Sequence, residues 1–218
     1  QLGSDADWVQ VSAGAKHLLA LRNDGSLYAF GDNESGQLGN GTLTAPSTIT
    51  RVGTDTFKAI AAGARHSLAV RSDGTLWAFG SNDQGQLGVM MANALTPVQV
   101  DQNTWKTVAA GEGHSLAIRT DGTLWAFGRN DKAQLGLGNT TAVSVPTRVG
   151  TLAAWDSVSA GVTHSVGLRA PGVLYSWGSN AEGELGDGTS SQRTSPQPIG
   201  LASDWASVAA GDTFSIGL

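Results

Sequence analysis

The sequence predicts an all-β fold in which four-stranded units of about 50 residues repeat along the chain. Three observations predict it. An aromatic residue opens each unit at spacings of 49, 48, 50 and 50 residues, namely Trp8, Phe57, Trp105, Trp155 and Trp205. Four short strand-like segments follow each of the first four aromatics, and no segment of useful length has helical periodicity. One such sheet cannot bury both of its apolar faces, so we expect the units to stack as blades of a β-propeller.

The first three strands of a unit are read from residue size and alternation. The first, such as Trp8–Ala13, ends in small residues, which suit a strand whose neighbours are crowded. The second, such as His66–Arg71, alternates larger and smaller side chains with the period of two that marks a sheet. Asp73 and Gly74 predict a two-residue hairpin turn. The aromatic-rich segment 75–80 is the predicted third strand.

The predicted fourth strand of each unit begins at a proline. These strands cover residues 46–52, 97–100, 146–149 and 196–199. Proline lacks the N–H group that a central strand needs, so within sheets it is found at edges and strand starts. The fourth strand should therefore be the outer edge of each blade.

The repeat divides the chain into four complete units and part of a fifth. The predicted bounds are 8–56, 57–104, 105–154, 155–204 and 205–218, within one propeller region covering residues 1–218. The last segment stops inside its second strand. Residues 2–5 resemble the inter-repeat linker at residues 52–55 and do not resemble missing outer strands.

Composition argues against several classes of protein. The net charge is -5, so we expect no nucleic-acid partner, because such proteins usually carry a basic surface. Cysteine is absent, which excludes disulfides and thiolate metal sites. No apolar run approaches the roughly 18 residues needed for a membrane span, so we expect no membrane insertion. Low charge and polar loops favour a secreted or surface-associated bacterial protein.

Histidines and glycines recur in register near the start of each unit. The histidines are His17, His66, His114 and His164, each three residues after Gly14, Gly63, Gly111 or Gly161. The fifth unit has Phe214 at the histidine position. A residue present in every blade predicts a repeated structural hydrogen bond, whereas catalysis needs an asymmetric set of groups. We also expect no triad from a histidine and the serine beside it, because neighbours on a strand point to opposite faces.

Two types of loop resemble ligand-binding loops but lack the complete sequence pattern of such sites. Residues 32–36 resemble the start of a calcium loop but lack its spacing and closing glutamate, and the equivalent loop at 129–133 contains Arg129 and Lys132. The glycine-rich loops lead into strands, whereas a phosphate loop leads into a helix. We therefore expect no cofactor and no metal.

One loop breaks the repeat. Residues 89–95 include Met90, Met91 and Leu95, where the equivalent loops at 40–44 and 187–191 are polar. Methionine suits adaptable contact surfaces, and function in repeat proteins usually lies in such unequal loops. This segment is either an interaction loop or is buried against the neighbouring blade.

Residues 57–88 and 105–136 resemble the repeat of the regulator of chromosome condensation family. The shared run extends from the opening aromatic through Ala-Gly-x-x-His-Ser-Leu-Ala and Asp-Gly-x-Leu-Trp-x-Phe-Gly to Gln-Leu-Gly, and the resemblance covers essentially the whole chain. It implies a propeller, usually of seven blades, that acts as a binding platform. Seven blades would need roughly 340 residues at this period. The chain would then be part of a longer protein, or further blades or another chain would complete the ring.

Three functions follow as hypotheses. The leading one is a non-catalytic scaffold for a protein partner. The resemblance also implies a guanine nucleotide exchange factor for a small GTPase, although such activity in the family depends on a blade insertion for which the near-constant spacing leaves no room. The third is a proteinaceous enzyme inhibitor, because one propeller face can cover an active-site cleft. No catalytic residues are predicted.

Overall fold

The computed structural model describes residues 7–218, which form strands, turns and loops and contain no helix. The segment 2–5 that resembles a linker lies outside the described residues. Seventeen strands follow in chain order: β1 (Trp8–Ala13), β2 (His17–Arg22), β3 (Ser26–Gly31), β4 (Thr50–Ala62), β5 (His66–Arg71), β6 (Leu76–Gly80), β7 (Ala94–Gln99), β8 (Trp105–Ala110), β9 (His114–Arg119), β10 (Leu124–Gly128), β11 (Val143–Arg148), β12 (Trp155–Ala160), β13 (His164–Arg169), β14 (Val173–Gly178), β15 (Arg193–Pro198), β16 (Val208–Ala210) and β17 (Ser215–Gly217).

The strands form antiparallel blades, each running outward from its first strand to its fourth. Strands β8 to β11 form one four-stranded sheet and β12 to β15 another, with every strand paired to its neighbour in sequence. The first two blades are joined, because β4 is both the outer strand of the first blade and the inner strand of the second. Strands β16 and β17 pair as a two-stranded fifth unit. The prediction of repeated four-stranded blades is confirmed.

The outer strands differ from the prediction in where they begin. Strand β7 begins three residues before Pro97, and in the first blade β4 begins four residues after Pro46. Gly80 is paired with Ala94, but Ala78 is paired with Val98, so the register shifts in between. Pro97 therefore lies in a bulge of an outer strand, where its missing N–H leaves no ladder position unpaired.

The predicted two-residue hairpin turn is wrong. Gly74 N donates to Arg71 O at 2.9 Å, and Arg71 N donates to Thr75 O at 2.9 Å, which encloses a three-residue loop. Gly74 has a φ of +94°, so this is a type I turn followed by a left-handed residue. Asp73 favours the wider loop because its Oδ1 accepts hydrogen bonds from the backbone N and the hydroxyl of Thr75.

The core lies between the blades. The Phe79 ring packs so closely on the preceding blade that a Cβ atom at Gly39 would lie 2.8 Å from Phe79 Cδ2. The same contact recurs between Phe127 and Gly88, and Trp177 lies against Gly136 in the same way. These aromatic residues are fully buried. The stacking of adjacent blades therefore positions the groups at their inner ends.

Candidate functional site

A cavity of about 340 Å³ lies where the inner ends of the blades converge. Its lining is almost all glycine and alanine and includes five equivalent glycines: Gly14, Gly63, Gly111, Gly161 and Gly211. Just behind this lining, at the first residue of β2, β5, β9 and β13, stand the four histidines. The cavity and the four titratable histidines therefore lie together at the inner ends of the blades.

Each histidine hydrogen-bonds to a serine of the following blade. The distances between Nε2 and Oγ are 2.9 to 3.0 Å for the pairs His17 with Ser67, His66 with Ser115, His114 with Ser165 and His164 with Ser215. Ser67, Ser115 and Ser165 each follow the histidine of their own blade in sequence, and Ser215 follows Phe214, but all four serines bond across the blade interface. A series of side-chain hydrogen bonds thus links each blade to the next.

The serines fix the proton positions in this series of hydrogen bonds. Each serine hydroxyl donates to a backbone carbonyl of the preceding blade at 2.7 to 2.8 Å, namely those of Gln37, Gln86, Gln134 and Glu184. Since a hydroxyl has one proton, the histidine must donate through Nε2. The Nδ1 atom of each imidazole is then the unprotonated nitrogen, and within residues 7–218 it has no hydrogen-bond partner.

Burial keeps the histidines neutral. Together with the smaller effect of neighbouring cationic or imidazole groups, it lowers the pKa of His66 and of His114 from 6.5 to about 3. Burial lowers the pKa of His17 to about 4 against the opposing effect of Asp32. The pKa of His164 is also lowered by burial, although Glu184 opposes the shift. A neutral imidazole that is protonated on Nε2 makes the hydrogen bond to serine and leaves Nδ1 without a proton.

The glycine three residues before each histidine is required by close packing. A Cβ atom at Gly63 would lie 2.6 Å from both His66 Nδ1 and the carbonyl oxygen of Gly111 in the next blade. Contacts this short do not occur, so only the α-hydrogen of glycine fits against the imidazole. Glycine and histidine therefore recur together because they are in contact.

Within the described residues, these histidines and serines do not form an assembled site for a metal or for nucleophilic catalysis. Among residues 7–218, no group of three or more His, Asp or Glu side chains could hold a metal ion. Ser67 Oγ contacts His17 and the carbonyl of Gln37, so it is not a partner of the adjacent His66. The imidazole nitrogen that carries the proton is already engaged in each copy.

The loop that resembles a calcium site is closed by an asparagine side chain. Asn33 Nδ2 donates to the carbonyls of Thr42 and Thr44 at 2.9 and 3.0 Å, and its Oδ1 accepts from Leu38 N at 3.0 Å. Asn130 and Asn180 make the same bonds in their blades. The asparagine side chain therefore ties both ends of this loop together through the backbone.

The loop that breaks the repeat, residues 89–93, is here named the methionine loop. Asn82 Nδ2 donates to Val89 O at 2.9 Å and to Met91 O at 2.6 Å, which fixes the loop backbone. The side chains then point outward, and Met90 is 89% and Met91 49% exposed. Both methionines and Ser144 of the next blade line a cavity of about 290 Å³.

Leu95 has a different position from the two methionines. It is half-buried, and a Cβ atom at Gly36 of the preceding blade would lie 2.7 Å from Leu95 Cδ2. Its carbonyl accepts a hydrogen bond from Gly41 N at 2.8 Å. The structure therefore separates the predicted segment into exposed methionines and a leucine that packs between blades.

Sequence reasoning missed the serines as the partners of the histidines. A signal was present, because a serine follows the histidine in three of the four histidine-bearing units, while the first unit has Leu18. What the sequence could not supply was the pairing across units, between residues 49 to 51 positions apart.

Repeated four-stranded blades that stack through buried aromatics and are linked by equivalent histidine–serine hydrogen bonds define a β-propeller protein of the 50-residue repeat class. The chain belongs to the RCC1-like domain family, whose model matches residues 2–217. The resemblance predicted from the repeat is thus confirmed. Within residues 7–218, there is no helix with the length and apolar character to cross a bilayer.

Solved structures show the same fold. Human WBSCR16 superposes with a TM-score of 0.90 over 99% of this chain and 58% of its own, at 23% identity. Prp20p from Saccharomyces cerevisiae, in a structure described with its binding to Gsp1p and histones, superposes with a TM-score of 0.87 at 28% identity, covering 99% of this chain and 56% of its own. The human E3 ubiquitin-protein ligase HERC2 is 56% identical over 36 residues, which are 16% of this chain and 1% of the ligase. The chain thus spans little more than half of the two solved proteins.

Proposed function

We propose that this domain is a non-catalytic scaffold that binds a protein partner, with the methionine loop as a contact surface. The observation that carries the proposal is the contrast between repeated and unrepeated residues. The repeated histidines, serines and asparagines are engaged in hydrogen bonds that hold blades and loops together. Met90 and Met91 are exposed, and they stand where the equivalent loops have a glycine followed by threonine or asparagine.

The chemistry of this surface fits a protein partner. Methionine side chains are flexible and polarizable, so they adapt to the shape of an apolar side chain. The cavity of about 290 Å³ beside them is large enough for one such side chain, and Asn82 and Ser144 at its edge add polar groups. Prp20p, which has the same fold, is described as binding the proteins Gsp1p and histones.

A matched pair of variants tests the proposal. Replacing both Met90→Asp and Met91→Asp should abolish capture of a partner, because a carboxylate in an apolar contact must be desolvated. Leu43→Asp is the control, since Leu43 lies in the equivalent loop of the first blade and is 55% exposed. Partners captured by the wild type should be lost with the double variant and retained with Leu43→Asp. Equal capture by all three proteins would refute the role of the methionine loop.

Nucleotide exchange on a small GTPase is the second candidate, favoured by the similarity to Prp20p. The spacing of the repeats, 48 to 50 residues, leaves no room for a blade insertion that would wedge against a GTPase. We therefore expect no acceleration of nucleotide release from a panel of small GTPases. Acceleration that survives the Met90→Asp and Met91→Asp changes would replace the scaffold proposal. An enzyme inhibitor is the third candidate. If substrate turnover by an enzyme falls when this chain is added, that enzyme is the inhibited partner.

A further inference from the structure

At two junctions between blades, a glycine in the loop of one blade is hydrogen-bonded to the outer strand of the next. Gly41 N donates to Leu95 O, and Gly138 N donates to Thr194 O, each at 2.8 Å. Both glycines have a left-handed backbone, with φ of +81° and +79°. This conformation directs the N–H group of the loop to the neighbouring blade and closes the junction.

The junction between the second and third blades lacks this bond. Met90 stands at the position of the two glycines, counted from the repeated asparagine. Ser144 stands at the position of the two acceptors, because each follows the residue paired with the last glycine of the third strand. Within residues 7–218, no hydrogen bond joins Met90 N to Ser144 O. A left-handed φ is unfavourable for a residue with a side chain, and Met90 does not have one.

The methionine loop is held by its own blade instead. Asn82 Nδ2 donates to the carbonyls seven and nine residues further on, whereas Asn130 Nδ2 donates to those nine and eleven residues further on. The backbone N of Asn82 also donates to Asn93 Oδ1 at 2.8 Å. Both ends of the loop are therefore fixed without a bond to the third blade, so the open junction is pre-organised for a partner.

The open junction coincides with the cavity of about 290 Å³ beside the methionine loop. The residues that line this cavity, here named the methionine groove, are uncharged: Asn82, Val89, Met90, Met91 and Ser144. Beside the groove the two blades are in close contact, because a Cβ atom at Gly85 would lie 2.7 Å from Ser144 Cα. The gap is therefore confined to the place where the other junctions have their hydrogen bond.

We propose that an extended, uncharged segment of a protein partner occupies the methionine groove, with one apolar side chain against the methionines and a backbone N–H group donated to Ser144 O. The proposal rests on the proposed function of the methionine loop and adds how the partner is bound. The partner's N–H group takes the place of the glycine N–H group in the other junctions, and a carbonyl oxygen has two lone pairs for such bonds.

The surroundings of the groove favour this occupant. Ser144 belongs to β11, which is the edge strand of its sheet, so an extended backbone has access to it. A charged side chain would be desolvated in the groove without a counter-charge, which is unfavourable. Methionine adapts to the shape of an apolar side chain.

Hydrogen exchange followed by NMR tests the open junction without a partner. The amide of Met90 should exchange on the order of ten-fold faster than those of Gly41 and Gly138, which are hydrogen-bonded. Met90→Gly should slow exchange at this position by a similar factor, because glycine adopts the left-handed φ that the closing bond needs. Met90→Ala should leave exchange fast. Slow exchange at Met90 in the wild type would overturn the proposal.

Binding is tested with a phage-displayed library of peptides of about seven residues, selected on the wild-type chain. The enriched peptides should be uncharged and share one large apolar residue. Met90→Gly should bind them on the order of ten-fold more weakly than Met90→Ala, since both variants lack the methionine side chain but only glycine closes the groove. N-methylation at one backbone position of a selected peptide should weaken binding by a similar factor, because it removes the donor to Ser144 O.

The outcomes separate this proposal from the proposed function. Equal binding to the glycine and alanine variants, or tolerance of N-methylation at every position, would overturn the binding mode and leave the methionine loop as a contact surface. A library that yields only charged peptides, or none, would also overturn it. Selected peptides that bind equally well to the chain with Met90→Asp and Met91→Asp would refute the proposed function itself.

Discussion

Acidification should destabilise this fold through its buried histidines. His66 is fully buried and neutral, and burial lowers its pKa from 6.5 to about 3. Unfolding returns the imidazole to water, where it binds a proton near its ordinary pKa. Because the folded pKa is the lower one, the stabilisation is fully present above about pH 6.5 and is lost as the pH falls towards the folded pKa.

The size of the effect follows from the two pKa values. Between about pH 6 and pH 4, each such histidine should reduce the free energy of unfolding by about 1.4 kcal/mol per pH unit. At about pH 5 the loss is about 2 kcal/mol for His66 and a similar amount for His114 and His17, relative to neutral pH. The pKa of Asp187 is also lowered, but carboxylates lose their contribution only as the pH falls below about 4.

Urea unfolding followed by tryptophan fluorescence between about pH 5 and neutral pH measures this slope. His66→Gln keeps a side-chain donor but removes the titrating group, so over this pH range it should lose about 2 kcal/mol less unfolding free energy than the wild type. Ser115→Ala is the matched control. It removes the acceptor of the His66 hydrogen bond and should lower stability at neutral pH without changing the slope.

Two results would refute the reasoning. One is a free energy of unfolding that stays constant as the pH falls from neutral to about 5. The other is an NMR titration in which the His66 imidazole of the folded protein is protonated near its ordinary pKa.

The remaining predictions concern the packing and hydrogen bonds at equivalent positions of the blades. Gly63→Ala should cost more than about 2 kcal/mol of unfolding free energy, whereas Gly113→Ala, whose Cβ would lie 3.4 Å from Arg129 Cβ, should change it by about 0.5 kcal/mol or less. Thermal unfolding of the two alanine variants compares them directly, and equal losses would contradict the packing argument. Asn130→Ala should cost about 3 kcal/mol, because it removes the hydrogen bonds to Thr141 O and Leu135 N, and chemical denaturation measures it. Trp177→Phe should lower the free energy of unfolding by about 2 kcal/mol, because side-chain volume and the hydrogen bond from Nε1 to Gln134 O are lost. Near-wild-type stability would contradict this and show that phenylalanine, as in Phe79, fits equally well.

The strands were largely predictable because they depend on local patterns. The strand Trp8–Ala13 and the strand His66–Arg71 were predicted with the bounds that the structure has. Small residues, two-residue alternation and aromatic content are properties of neighbouring residues, so one unit is sufficient to read them. The hairpin at Gly74 was predicted one residue too short, because an Asp-Gly pair suits both the two-residue turn and the three-residue loop.

The outer strands were less predictable for a physical reason. Pro97 predicts the start of a strand, since proline cannot donate a backbone hydrogen bond to a neighbouring strand. The register shift between Ala78 and Gly80 places it inside a strand instead. A bulge is a property of two paired strands, so a single segment does not reveal it.

By itself the sequence determined the repeat, the blade architecture and the residues that recur in register. A period of about 50 residues with glycine and histidine in each copy is visible without coordinates. Only the tertiary structure decided what those residues touch. In that structure each histidine is hydrogen-bonded to a serine of the next blade, Met90 is exposed to solvent, and Leu95 packs on the preceding blade. The reason is that a period gives the spacing of equivalent positions, whereas contacts across a blade interface depend on which faces the stacking brings together.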